Sequence, residues 1–516
     1  MSAARHTFLA KPIAAIALIA LAQALFYDQW WGATLGGFAL AWIVALVVVR
    51  RDVRRSGPAL LALGGAVAMA AVLVDDPSLL AWVLFWSAVA TAALVPRRGI
   101  DNAAIWIVRL LAHGTFGLAQ PFGDLVRLTR RRVPSQAASV ARMLAMPLIG
   151  GGLFLALFAS ANPILADAFA AIRLPSLASA LPHFFFWSIV LVTIWPSLRP
   201  ARTVTRAPIA VAGPSGLPRV PTGTLVLSLA TFNAVFALQN ALDIAFLWSG
   251  APLPGHLTLA EYAHRGAYTL IATALLAGLF VLVALRPGDA ATRSPTVRGL
   301  VILWVAQNVL LVASSILRTG DYVAAYGLTE LRIAALAWMA LVAIGLVLIC
   351  WRLIRARSPR WLINANAIAA LAVLVAASVV DLSAVAATWN VRHARTVGDA
   401  AGSLDLCYLR TRGAPALLPL IDLERRVKGA ALQDRVTFLR AQVLESVERR
   451  QADWHGWTWR NARRLAAAKA ALGPAAPTPA RARYGRECDG TVIPPPLPAP
   501  PPVSPPASPL TGDVKR

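Results

Sequence analysis

Apolar residues arrive in blocks along this chain, separated by short polar or arginine-rich punctuation. The blocks run about 17 to 22 residues, the length a helix needs to cross a hydrocarbon core of ~30 Å. Taken in order they predict membrane helices at Ile13–Phe26, Gly32–Val49, Pro58–Val74, Leu79–Val95, Met143–Ala161, Pro182–Leu198, Thr222–Leu242, Gly266–Leu285, Leu300–Leu317, Leu331–Trp351 and Leu362–Val380. The expected fold class is all-α, a polytopic transmembrane helical bundle of about eleven spans. Residues 1–101 form an N-terminal four-span region, and residues 143–380 a seven-span core.

The pattern breaks between them, over 102–142. Arg109, His113, Gly114, Gly117, Pro121 and Asp124 interrupt the apolar run, which ends in Arg130-Arg131-Arg132. This amphipathic or linker segment is expected to lie on the cytoplasmic face as one or two helices, its arginines against anionic lipid headgroups. After the last span the composition turns to that of a small extramembrane helical module, 381–472. Val436, Leu439, Val443, Leu444 and Val447 repeat at nearly helical spacing. Trp454, Trp457 and Trp459 suit a membrane surface. Residues 473–516 are Pro-rich and predict a disordered tail with local polyproline character.

Composition agrees with a membrane chain: 58% hydrophobic, 14% charged, mean hydropathy +0.63. The net charge of +25 would point to nucleic acid in a soluble protein. Here the basic residues sit mostly in short loops, so the charge is topological and no nucleic-acid partner is expected. With the N-terminus cytoplasmic, the inside segments hold roughly 25 Lys and Arg and the outside segments roughly 4. An odd span count then puts the C-terminal module outside, on the face away from the cytoplasm. The basic N-terminus (Arg5, Lys11) leads into an apolar stretch with no small-residue cleavage site, read as an uncleaved first helix.

Candidate chemistry gathers around Phe232–Tyr268, which breaks at Gly250–Gly255 between two apolar helices. Gln239, Asn240, Asp243, Glu261, Tyr262, His264 and Arg265 fall there, and ionisable groups at membrane depth mark a buried network or a site. Glu261, His264 and Arg265 share one face if helical, fit for a proton relay, anion or metal, or for a salt-bridge network alone. Asn233 and the Gln307-Asn308 pair stand mid-span, placed to hydrogen-bond across helices. Arg318, Asp321, Glu330 and Arg332 should emerge on the same side as Asp243 and join one outward-facing cluster. Cys350, Cys407 and Cys488 lack metal spacing. Cys407 and Cys488 could form a disulfide in an oxidising compartment. No phosphate-binding glycine loop, zinc-protease or nucleophile-elbow motif occurs, so no catalytic residue, metal or cofactor is assigned.

The phrases NAVFALQNALDIAFLWSGAPLPGHLTLAEYAHRGAYTLI and DYVAAYGLTELRIAALAWM resemble a bacterial polytopic membrane family known as a domain of unknown function, the 4173/4153 group. The resemblance covers roughly Gly150 to Pro419, with Asn390 and Asp405–Leu409 among its residues. It implies an inner-membrane location and no activity. Three functions stay open: a non-enzymatic scaffold, sensor or envelope-assembly factor with lipid and envelope-protein partners; a secondary transporter or ion-coupled permease; and a polyprenyl-phosphate-dependent transferase, given the outward acids Asp28, Asp75 and Asp76.

Overall fold

The computed structural model describes residues 2–130, 177–201, 221–248, 294–394, 396–397, 403–474 and 476–495, with isolated positions between them. Seven helices there are long and apolar enough to cross a membrane. They lie in α4 (Gly57–Asp75), α5 (Leu79–Arg98), α7 (Leu177–Leu198), α8 (Thr222–Asp243), α9 (Pro295–Tyr326), α10 (Glu330–Ile354) and α11 (Pro359–Val379). Shorter apolar helices occupy Ala10–Phe26, the inner part of α1 (Ser2–Phe26), and α2 (Thr34–Val49). A four-residue turn, α3 (Arg51–Arg54), follows α2. The predicted spans Met143–Ala161 and Gly266–Leu285 lie outside the described residues, apart from isolated positions.

Local signals set the helix ends. The Ser78, Thr329 and Ser358 side chains accept from Ala81 N, Arg332 N and Trp361 N, satisfying donors that have no partner within a helix. Pro58, Pro295 and Pro359 open their helices, where the missing N–H costs nothing. One core joins α1, α2, α4, α5 and α7 through Leu18, Trp42, Leu46, Leu63, Phe85 and Ile194. Gly32 and Gly36, four residues apart on either side of the start of α2, serve close packing. A Cβ on Gly36 would fall 2.6 Å from the Ala70 carbonyl of α4. A second core joins α8, α9 and α10 through Leu229, Trp304 and Leu346.

The segment expected on the membrane face is a single helix, α6 (Ala103–Arg130), packed against α5, α7 and α11. It buries polar residues that the sequence pattern assigns to a surface. Arg109 pairs with Asp101 at 2.8 Å, and Gly117 lies directly against Pro196. His113 packs beside Trp86, where burial pushes its pKa down to about 4 and keeps the ring neutral. At this end Arg50 donates to the Ser197 and Ala93 carbonyls (both 3.0 Å) and pairs with Asp52 at 2.5 Å. Trp42 Nε1 donates to Ser197 Oγ (2.9 Å).

At the opposite end sits a helical module: α12 (Leu382–His393), a short parallel pair β1 (Thr396–Val397) and β2 (Ser403–Leu404), α13 (Leu406–Arg412), α14 (Leu417–Arg426), α15 (Ala430–Ala452) and α16 (Trp459–Leu472). Leu409, Leu417, Leu420, Val436, Leu439 and Val443 fill its core. Glu424 and Arg440 form a buried pair at 3.0 Å, and Thr437 Oγ1 donates to Glu424 at 2.6 Å. Residues 476–495 fall in the predicted disordered tail, yet they fold back onto this module. Arg486 pairs with Asp434 (2.7 Å), Arg435 pairs with Asp489, and a disulfide joins Cys407 to Cys488. These long-range ties, absent from any local pattern, hold a segment too poor in apolar residues to build a core.

The bond closes a separation of 81 residues, for which the chain-entropy model gives at most ~4.5 kcal/mol. Cys488→Ala should lower the melting temperature of the module by calorimetry and open 476–495 to protease while α14 and α15 stay protected.

Candidate functional site

Two helices gather the mid-span polar residues. Gln307 Nε2 donates to Asn233 Oδ1 (2.7 Å), and Asn233 Nδ2 donates to the Leu229 and Leu300 carbonyls (2.8 and 3.1 Å). Asn240 Nδ2 reaches the Gln307 carbonyl at 3.3 Å. Asn308 instead turns back to Trp304 O on its own helix, at 2.8 Å. From Asn233 to Asp243 the ladder climbs about 15 Å along α8. At its top Arg318 of α9 forms a buried ion pair with Asp243, and Gln239 Nε2 donates to the same Asp243 oxygen (3.0 Å). A π-turn, Ile244–Trp248, continues α8 and sends Trp248 Nε1 to Ser314 Oγ at 3.2 Å. Asp243 Oδ2 and Gln307 Oε1 are buried without a partner among the described residues.

The remaining predicted residues do not join this ladder. Arg318 through Tyr326, expected as a linking segment, continue α9 as helix, which puts Asp321 on an exposed surface. Glu330 goes to the module: it accepts from Ser383 Oγ and pairs with Arg412 at 3.2 Å. Arg332 closes the end of α9, donating to the Tyr326 carbonyl (2.9 Å) and the Gly327 carbonyl, with its guanidinium 4.2 Å from the Tyr322 ring centre. Described residues of the single expected cluster thus divide between a buried ladder and a junction, with Asp321 in neither. Glu261, Tyr262, His264 and Arg265 lie outside the described residues.

At the junction a polar cleft of about 240 Å³ opens between the α9–α10 turn and the module, lined by Gly327, Arg332, Asn390, His393, Asp405 and Tyr408 among others. Asn390 shapes it by clasping Leu328 from both sides: its Nδ2 donates to Leu328 O (2.9 Å), and Leu328 N donates to its Oδ1 (2.5 Å). The preceding Gly327 has φ +78°, and a Cβ there would sit 3.0 Å from Asn390 Oδ1. Glycine meets both demands. His393 stacks on Trp389 at 4.3 Å, with Nδ1 2.9 Å from the Trp389 carbonyl. That carbonyl can only accept, so Nδ1 carries a proton. Asp405 uses one oxygen to cap α13 at Tyr408 N (2.8 Å). Tyr408 Oη is buried without a partner among the described residues, and burial pushes its hydroxyl up, which keeps it a donor. The cleft therefore offers donors and acceptors to a small polar ligand. Among the described residues, no three His, Cys, Asp or Glu side chains converge as a metal site. Sequence reasoning missed His393, Ser383 and Arg412, because nothing local marks residues that meet across the module boundary.

A family model described as a domain of unknown function, DUF4153, matches residues 12–423, and the chain belongs to that family. The match takes in the first four predicted spans, beyond the Gly150–Pro419 resemblance. It includes every cleft residue named above. No curated protein and no solved structure matches the chain.

Removing one partner of a buried pair leaves an uncompensated charge, which costs roughly 3–5 kcal/mol. Arg318→Met alone should therefore destabilise the bundle in detergent more than Asp243→Asn combined with Arg318→Met. Thermal melts of the two singles and the double give the coupling, and additive losses would mean that the pair does not interact.

Proposed function

We propose that this DUF4153 protein is a non-enzymatic, multi-pass protein of the bacterial inner membrane that holds a helical module against the periplasmic face as an envelope scaffold. One observation carries the reading. Arg460, Arg463 and Arg464 of α16 meet Asp75, Asp76 and Asp381 at one end of the bundle. A module bound so closely serves to present a surface at a fixed position. The bundle is then its base.

Three arguments support the orientation. The module meets residues 31–33, 75–76 and 330, segments that eleven spans with a cytoplasmic N-terminus would leave outside. The opposite end concentrates Arg50, Arg97 and Arg199, as positive-inside topology requires. A Cys407–Cys488 disulfide persists in an oxidising compartment. A second reading, an ion-coupled permease, rests on the spare buried acceptors Asp243 Oδ2 and Gln307 Oε1. Ion-driven uptake in proteoliposomes that Asp243→Asn abolishes would favour it.

Reporter fusions after Arg55, Pro254 and Gly398 should read cytoplasmic, periplasmic and periplasmic. A cytoplasmic signal at Gly398 would overturn both the count of eleven and the scaffold's placement.

A further inference from the structure

A cavity of about 490 Å³ bordered by described residues has two chemically different ends. Its deep part runs between α1, α2, α5 and α7 and is walled by Phe26, Phe38, Trp82, Phe186, Val190 and Ile194. Along α7 it extends from Phe186 to Ile194, about 12 Å of helix, comparable with the acyl depth of one leaflet of a ~30 Å core. Its mouth is formed by Asp76 and Ser78 of the α4–α5 turn and by Arg450, Thr458 and Asn461 of the module. An occupant must be apolar along one part and polar at the other. The volume falls in the range of small-molecule sites, roughly 300–1,000 Å³.

Charge at the mouth narrows the class. Arg450 donates to the Trp31 carbonyl (2.8 Å) and lies 5.6 Å from the Trp30 ring centre, and no carboxylate pairs with it among the described residues. Its guanidinium can still offer donors to a phosphate. Asp76 stands at the same mouth with its side chain 42% exposed, one oxygen bound by Arg460 at 3.0 Å. Burial pushes its carboxyl above the usual range despite Arg460, and a second cation beside it would offset that. A donor for an anion and an acceptor for a cation thus share one opening above an apolar slot. We propose that this cavity binds a phospholipid with a zwitterionic phosphoethanolamine headgroup, phosphate towards Arg450, ammonium towards Asp76, and an acyl chain along α7. The inference rests on the helices crossing a membrane, and it is independent of what the module presents.

The test is native mass spectrometry of the full chain, delipidated and then exposed to equimolar phosphatidylethanolamine and phosphatidylglycerol. The wild type should retain phosphatidylethanolamine at one per chain in preference to phosphatidylglycerol. Thr193→Trp, which fills the slot, should abolish retention of either lipid. Arg450→Gln should weaken both by about tenfold, the effect of one charged hydrogen bond. Asp76→Asn should remove the preference and leave binding of phosphatidylglycerol. Asp75→Asn weakens the same arginine network without lining the cavity, so it should leave the lipid ratio unchanged and separates loss of the headgroup site from loss of module docking. An intact Cys407–Cys488 disulfide and a cooperative melt certify each variant as folded. Equal retention of the two lipids by the wild type, a preference for phosphatidylglycerol, or wild-type retention by folded Thr193→Trp would overturn the proposal.

Discussion

The junction depends on three arginines of one short helix meeting three carboxylates at the end of the bundle. Isolated surface ion pairs contribute little, typically 0–1 kcal/mol. This network differs in burial and in shared partners. Arg460 is 13% exposed and binds Asp75 Oδ2 (2.7 Å), Asp76 Oδ2 (3.0 Å) and the Val379 carbonyl (2.8 Å) at once. Arg463 takes the other Asp75 oxygen at 2.8 Å, and Arg464 takes Asp381. Asp381 also caps α12 through Ala384 N (2.9 Å), two residues after α11 ends. A single carboxylate therefore starts the module's first helix and receives the module's last. Without the arginines, Asp75 and Asp76 would be adjacent like charges at a partly buried turn.

Backbone contacts make the seat close. Ala33 N donates to the Trp457 carbonyl at 2.7 Å, and a Cβ on Gly32 would lie 2.3 Å from the His455 carbonyl. The α1–α2 turn thus touches the α15–α16 turn with no side chain between them. The polar cleft at Asn390 and the amphipathic cavity at Arg450 both border this seam. Their shapes follow from the docking, since each takes part of its lining from the bundle and part from the module.

Most of the helices were legible in the sequence, because block length and capping residues are local and the bilayer imposes the length. The Asn233–Gln307 contact was legible for a related reason: amides in the middle of apolar helices have few partners except each other. Arg318 was harder. Polar residues at the end of an apolar block read as a loop, whereas α9 runs on to Tyr326 because the Asp243 partner neutralises Arg318 inside the bundle. Arg109 and His113 were visible as interruptions of the apolar run, but their burial beside Asp101 and Trp86 depends on neighbours in space. The acidic Asp75-Asp76 turn and the arginines of α16 were visible, but pairing across more than 380 residues carries no local signature. The fold of 476–495 depends on a disulfide and two ion pairs whose partners also lie far along the chain.

The claim that module and bundle form one rigid unit is tested most directly by a distance distribution between them. Spin labels on Leu61→Cys of α4 and Glu445→Cys of α15, two exposed positions, would be measured by pulsed electron resonance with Cys350→Ser in the background and the Cys407–Cys488 bond intact. A single narrow distance that broadens when Asp75→Asn and Asp381→Asn are introduced together is the result expected of an arginine clamp. A broad distribution already present without those substitutions would contradict it.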